Sequence, residues 1–360
     1  MPCSREDDIA AIVADALGVD APGGGAAASV TLSASGGAAE VEGSRAALAA
    51  LPAAPFAYVK ISDGCDRFCT YCTIPYIRGR YRSFPLDDVR ADVAAQVAAG
   101  AREIVLIAQD TGRWGADFDE PSSLAALVAA LAEEFPQTWF RIMYIQPEGL
   151  SDELLDAVAA HDNVCDYFDI PLQHINDRVL KAMNRRGDSA LIKERINTIR
   201  SRFPEAVIRT SLIVGFPGET EEEFDELYRF LDEYKLERAG VFAYSQEEGT
   251  VAGAMPDQIP EEEKERRREI LVELQDAVMD EFSQKLVGTT QRVLCCGYDP
   301  EHEMFYGRTY MDSPDVDGIV YFYADEPVEE GTFVPVKIEN AVSAELFGEI
   351  AQGPDEEMDQ

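Results

Sequence analysis

Positive charge is scarce in this chain. Its 360 residues carry 31 Lys and Arg against 68 Asp and Glu, a net charge of -37. A field of that sign repels phosphate backbones and attracts cationic surfaces, so nucleic acid is disfavoured as a partner and a basic protein favoured. Solubility alone is the other reading of the same acidity. Long apolar runs are also missing. No window approaches the 18 apolar residues of a membrane span, and the opening MPCSREDDIAAIVAD is charged from its start, without the apolar core of an export signal. The expectation is a cytoplasmic protein with no membrane association. Histidine is limited to His161, His174 and His302, and cysteine to seven, an odd number. In a reducing compartment that count favours thiols or metal ligands over disulfides.

Residues 1–55 divide into a short helical piece, DDIAAIVADALG, and a Gly/Ala/Ser-rich run without aromatic residues that reads as a flexible linker. Over residues 56–259 the runs AYVKIS, EIVLIAQD, TWFRIMYIQ, YFDIPLQ, VIRTSLIVGF and AGVFAYS alternate with helical segments. This pattern predicts an α/β fold of parallel β/α units with buried strands. The units are too few for a closed eight-unit barrel, so a partial (β/α)6 barrel is expected, with its chemistry at the carboxyl ends of the strands. Residues 260–286 predict one long connecting helix, with Ile270, Leu271, Leu274, Val278 and Phe282 at helical spacing. Five short runs over residues 287–352 predict a small antiparallel β-barrel, and residues 353–360 a disordered tail.

The stretch GCDRFCTYCTIPYIRGRYRS, residues 64–83, spaces Cys65, Cys69 and Cys72 by four and three, with no fourth cysteine near. Spacing says metal. A closed zinc site takes four ligands, and only a distant histidine could supply the fourth. Three thiolates in the loop after the first strand better fit a 4Fe-4S cluster whose fourth iron is open. An open iron can chelate S-adenosylmethionine, and an electron from the cluster then releases a 5′-deoxyadenosyl radical.

C-x3-C-x2-C with Tyr71 before the last cysteine resembles the radical S-adenosylmethionine superfamily. Within it, this stretch together with LIAQDT, DIPLQH, MNRRG and VGFPGET resembles the methylthiotransferases, and the terminal barrel is similar to their TRAM domain. The resemblance covers residues 56–352. Ile77 before Arg78-Gly79, Arg82-Ser83, Pro171 to His174 and Glu247 to Thr250 resemble the branch that modifies an aspartate β-carbon in small-subunit ribosomal protein uS12, rather than the transfer RNA branch. Charge agrees independently: residues 281–360 hold 4 Lys and Arg against 18 Asp and Glu, which suits a basic protein and opposes RNA. Asp312, Asp315 and Asp317, in a turn expected to be free, are candidates for that docking.

The resemblance implies Cys65, Cys69 and Cys72 as cluster ligands and Tyr71 beside the adenine. Gln109 and Asp110 are implied at the methionine amine or ribose, and Gln173 and Arg185 at the ribose and carboxylate. Gly215 and Gly218 would let the backbone approach the adenine. Against these stand a polar strand end at Gln109, an exposed helix-end arginine at Arg185, and a tight turn in which Glu219 and Thr220 start a helix. His174 reads as a packed strand-end residue, and Cys165, Cys295 and Cys296 as buried filler. A basic ribosomal protein, an external electron donor and a sulfur donor are the implied partners. One departure stands out: the family holds a second 4Fe-4S cluster on three more cysteines in an amino-terminal domain, and residues 1–55, whose helical piece resembles a remnant of that domain, contain only Cys3. A metal-bearing acidic binding protein without turnover is the reading from another class.

Overall fold

The computed structural model describes residues 54–351, so the expectations for the linker and for the tail lie outside the described residues. Six parallel strands follow one another in chain order across an open sheet: β1 Phe56–Lys60, β2 Glu103–Ile107, β3 Trp139–Ile142, β4 Val164–Asp169, β5 Val207–Val214 and β6 Arg238–Ala243. Between them run helices α1 Leu86–Ala98, α2 Leu124–Glu134, α3 Asp152–Ala159, α4 Asp177–Ala182, α5 Ser189–Arg202 and α6 Glu221–Tyr234. Ser123, Ser151, Asn176 and Asp188 cap α2 to α5 through their side chains, and Thr220 forms a full capping box on α6. Helix α5 is not foreseen by the apolar pattern, because only Ile192, Ile196 and Ile199 face its core.

Successive side chains of a strand point to opposite faces, and the two faces of this sheet differ in kind. Ile104, Leu106, Phe140 and Leu212 pack under the helices with Leu127, Leu131 and Leu227. Val105, Trp139, Cys165, Tyr167 and Val207 line the other face, together with the buried charges Glu103, Arg141 and Asp169.

Helix α7, Glu261–Leu286, straps the sheet to a closed barrel of β7 Thr290–Asp299, β8 Met304–Arg308, β9 Ile319–Tyr323, β10 Phe333–Val342 and β11 Glu345–Ile350, in the order β8-β9-β11-β10-β7. The expected antiparallel pairing holds except between β9 and β11, which run parallel from Ile319 beside Glu345. The long return from β9 to β10 carries the chain round so that the β10–β11 hairpin closes the barrel onto β9. Val293, Cys295, Val320, Phe322, Val336 and Ile338 fill its core.

The segment between β8 and β9 enters the charged face of the sheet. Arg141 Nε donates to Glu103 Oε1 at 2.7 Å and its Nη1 to the Tyr310 carbonyl at 2.6 Å, while Arg308 pairs with the other Glu103 oxygen at 2.5 Å. Arg238 donates to Asp312 at 2.9 Å, Tyr167 to Asp317 at 2.5 Å and Tyr58 to Asp315 at 3.0 Å. This corrects the expectation of a free acidic turn. Asp312 is 2% exposed, and all three aspartates hold the small barrel in register with the sheet.

Candidate metal centre and cosubstrate site

Just past β1, Ser62–Asp63 pairs with Arg82–Ser83 as a two-stranded ribbon, and the chain between them swings out as the cysteine loop. Gly64 stands at its neck with φ of 75°, where a Cβ would collide with the Arg80 carbonyl oxygen, so only glycine fits. The Cys65 N–H closes the neck on the Gly79 carbonyl at 3.2 Å. The loop's far side is tied to the connection between α4 and α5. Thr70 donates from its N–H to the Met183 carbonyl and from its hydroxyl to that of Ala182, and the Asn184 amide donates to the Arg67 and Phe68 carbonyls. MNRRG therefore braces the cysteine loop.

Burial pushes the Cys65 thiol up, with Asp110, Cys69 and Cys72 adding to it and the Arg67 N–H opposing. Burial also raises Cys72, whose sulfur accepts from the Ile74 N–H at 3.4 Å. A cation among these thiols reverses that balance, since a coordinating thiol is deprotonated outright. Among the described residues no three His, Cys, Asp or Glu side chains converge on a point where a single metal ion would bind. A tetrahedral zinc needs its sulfurs ~2.3 Å from one centre. Cluster cysteines each take a different iron, and the Ile74 N–H on Cys72 is the kind of outer support a cluster thiolate receives.

The remaining candidates sit around this loop at the carboxyl ends of the strands. Asp110 accepts from Arg67 Nε at 2.6 Å, and Arg67 also meets Glu148. One Asp110 oxygen thus anchors the cysteine loop, a role invisible in the sequence because Arg67 looks like filler between two cysteines. Asp110 Oδ1 and Gln109 Oε1 are buried acceptors without a partner among the described residues. Arg185 donates to the Pro171 carbonyl and lies 3.9 Å from Cys69 Sγ, so it is no mere exposed helix end. Gln173 extends the sheet beside β5, donating to the Ser211 carbonyl and accepting from the Ile213 N–H, both at 2.8 Å. Its φ is 71°, and Phe68, Tyr144 and Asn184 are also left-handed at this end of the sheet. Such conformations in non-glycine residues concentrate where function over-determines the backbone. Tyr144, half exposed after β3, is a residue that motif reasoning missed.

Tyr71 joins Phe216, Tyr244 and Met183 in an apolar cluster after β5 and β6. The free side of Gly215 faces Lys264 of α7, which a Cβ would strike, so this glycine makes room for the strap helix. Gly218, at φ of 74°, accepts from Arg178 at 2.6 Å. Glu219 accepts from the Phe216 N–H at 3.0 Å and from Arg267 at 3.1 Å. Burial outweighs those donors and pushes its carboxyl up to about 7. The fully buried His174 accepts at Nδ1 from the Asn176 N–H at 3.0 Å. Cys165 and Cys295 are fully buried in strands, and Cys296 is partly so. A surface hollow of about 630 Å3 lies away from this site, on the small barrel, lined by Asp325, Glu326, Glu329 and Glu349.

Residues 59–231 match the family model of the radical SAM superfamily, and residues 287–351 that of the TRAM domain. The open parallel sheet, the three-cysteine loop and the closed small barrel are thus those of a radical S-adenosylmethionine protein with a TRAM domain. The ribosomal protein uS12 methylthiotransferase RimO of Syntrophotalea carbinolica is 44% identical over 83% of this chain and 66% of its own length. That of Alkaliphilus oremlandii is 42% identical over 82% and 67%. The chain belongs to the RimO family of methylthiotransferases, and it spans 66% of the length of the Syntrophotalea relative. Coproporphyrinogen III oxidase from Escherichia coli, a radical SAM enzyme, shares the fold with a TM-score of 0.50 and 16% identity over 66% of this chain and 56% of its own.

Proposed function

We propose that this chain carries the radical half of a methylthiotransferase that modifies the β-carbon of an aspartate in ribosomal protein uS12. The observation that carries the reading is the braced three-cysteine loop at the carboxyl end of β1, in a chain with relatives of that name. Cys65, Cys69 and Cys72 hold three irons of a 4Fe-4S cluster. With S-adenosylmethionine bound, that cluster supplies one-electron cleavage of the sulfonium bond and so a radical able to take hydrogen from an unactivated carbon. The orphaned Gln109 and Asp110 oxygens accept from the methionine ammonium or a ribose hydroxyl, since a buried acceptor left unmade is costly. Arg185, beside Cys69, balances thiolate charge and offers a cation to the cosubstrate carboxylate. Gln173 contributes toward the ribose. Tyr71 and the backbone from Gly215 to Gly218 line the adenine side. The reading also calls for an electron donor and a sulfur donor as partners. Replacing Cys65, Cys69 or Cys72 by alanine should abolish formation of 5′-deoxyadenosine by anaerobically reconstituted protein. Persistence in all three variants would overturn the assignment.

The acidic carboxyl-terminal segment favours basic uS12 over transfer RNA as substrate. Binding of purified uS12 that weakens with salt, beside negligible transfer RNA binding, is the expected comparison. The reverse order of affinities would return the chain to the RNA-modifying branch.

A further inference from the structure

Phe68, Tyr144, Gln173 and Asn184 hold left-handed backbones at the carboxyl end of the sheet, and all but one have a visible use there. Asn184 braces the cysteine loop, Phe68 carries Arg80 over its ring at 5.2 Å, and Gln173 extends the sheet beside β5. Tyr144 is the remaining one. Its φ is 62°, and the fold holds it there from both sides. The Tyr144 N–H donates to Asp169 Oδ2 at 2.9 Å, and the other oxygen of that 1% exposed carboxylate takes Arg209 at 2.9 Å. The Tyr144 carbonyl accepts from the Thr111 N–H at 3.3 Å, while the Thr111 hydroxyl closes on the Met143 carbonyl at 2.7 Å. This clamped and strained backbone presents a side chain with little part in the packing. The residue is 42% exposed, and neither its hydroxyl nor its ring has a hydrogen bond or ring contact among the described residues.

We infer that the Tyr144 hydroxyl donates a hydrogen bond to the carboxylate of the aspartate to be modified, and so sets which β C–H faces the cosubstrate. The inference rests on the proposed uS12 reading and names the side chain that recognises the reacting residue. Strands β2, β3 and β4 are neighbours in the sheet, so Tyr144 after β3 stands between Gln109 and Asp110 after β2 and Gln173 beyond β4, the residues assigned to the cosubstrate. Thr111, which holds the Tyr144 carbonyl, follows Asp110 directly, and Asp110 is tied to Arg67 in the cysteine loop. An ionised Asp110 only accepts hydrogen bonds and repels a second carboxylate, so the substrate needs a donor. Arg67 is engaged by Asp110 and Glu148, and Arg209 by Asp169, whereas the phenol O–H is still free. The bond it forms to an ionised acceptor is of the stronger, charge-assisted kind. Because the carboxylate carbon is bonded to the β-carbon, holding the carboxylate restricts rotation about the Cα–Cβ bond and keeps one β C–H in the reacting geometry.

The test is a double-substitution cycle read by calorimetric affinity, on anaerobically reconstituted full chain with S-adenosylmethionine and no reductant. The probes are purified uS12 and uS12 variants in which its aspartates are replaced by alanine one at a time. The parent should bind one of these variants at least ~10-fold more weakly than uS12 itself, the size expected for a lost hydrogen bond to a charged group. Tyr144→Phe should bind uS12 and that variant alike, and should bind the variant as tightly as the parent does. Its iron content and unfolding midpoint should match the parent's, because the hydroxyl it lacks bonds nothing in the fold. A parent that binds no form of uS12 overturns the substrate reading, and this inference with it. A parent that binds every form alike, or a Tyr144→Phe chain that discriminates as the parent does, overturns the inference alone. Weaker S-adenosylmethionine binding by Tyr144→Phe with discrimination intact assigns the phenol to the cosubstrate, and a lowered midpoint assigns it to the fold; either result overturns the inference.

Discussion

Arg67 lies between the first two cysteines, is 8% exposed, and ties the loop to Asp110 and Glu148. Arg67→Ala leaves Asp110 buried without its cation, a loss of ~3–5 kcal/mol for a broken buried pair. Denaturant unfolding should show that loss, and iron retention should fall with it. Arg67→Lys should recover only part, because one ammonium cannot reproduce the guanidinium fork. An unchanged midpoint in Arg67→Ala would contradict the anchoring role. His174 gives a pH test. Burial holds its pKa down at about 3, below the ordinary 6.5, so the fold prefers the neutral ring. Its contribution is whole above pH 6.5 and is lost as pH falls toward 3, at up to about 1.4 kcal/mol per pH unit. His174→Gln should flatten the unfolding free energy over that window relative to the parent, and an unaltered slope would sink the assignment. The cysteines were legible because their spacing is local. Arg67 and Glu219 were not, because each owes its role to partners set by distant strands and helices.

Among the elements, the cysteine loop depends on two glycines of nearly equal φ, 75° at Gly64 and 79° at Gly79. A Cβ at Gly79 meets nothing within 4 Å, while one at Gly64 strikes the Arg80 carbonyl. Gly79→Ala should therefore cost only the left-handed penalty of ~1–2 kcal/mol. Gly64→Ala should cost more and open the neck, seen as a larger loss of unfolding free energy and lower iron content than in Gly79→Ala. Equal effects would mean that the neck is not sterically closed. The sheet strands were legible from their β-branched runs, but β4 begins at Val164, before the expected YFDIPLQ, because Asp166 interrupts its apolar run. Helix α5 was missed for want of apolar residues, although Asp188 as its cap was a usable signal. The parallel pairing of β9 with β11 arises from barrel closure and has no local signature.

At the scale of the whole molecule, charged residues at inward strand positions hold the two folded units together. Glu103, Arg141, Arg209 and Arg238 alternate with apolar residues on strands that otherwise read as buried. That alternation is the sequence's signal that a polar partner fills the face, and the partner itself, the turn with Asp312 and Asp317, has no local signature. Asp312→Ala leaves Arg238 buried and unpaired, so a loss of ~3–5 kcal/mol and separate unfolding of the small barrel are expected in urea. A single transition at the parent's midpoint would contradict the clasp. The central claim concerns the open cluster, and anaerobic reconstitution followed by iron, sulfide and zinc analysis tests it most directly. About four irons and a matching amount of sulfide per chain, lost on replacing Cys65, Cys69 or Cys72, are expected. One zinc per chain with no sulfide would contradict it.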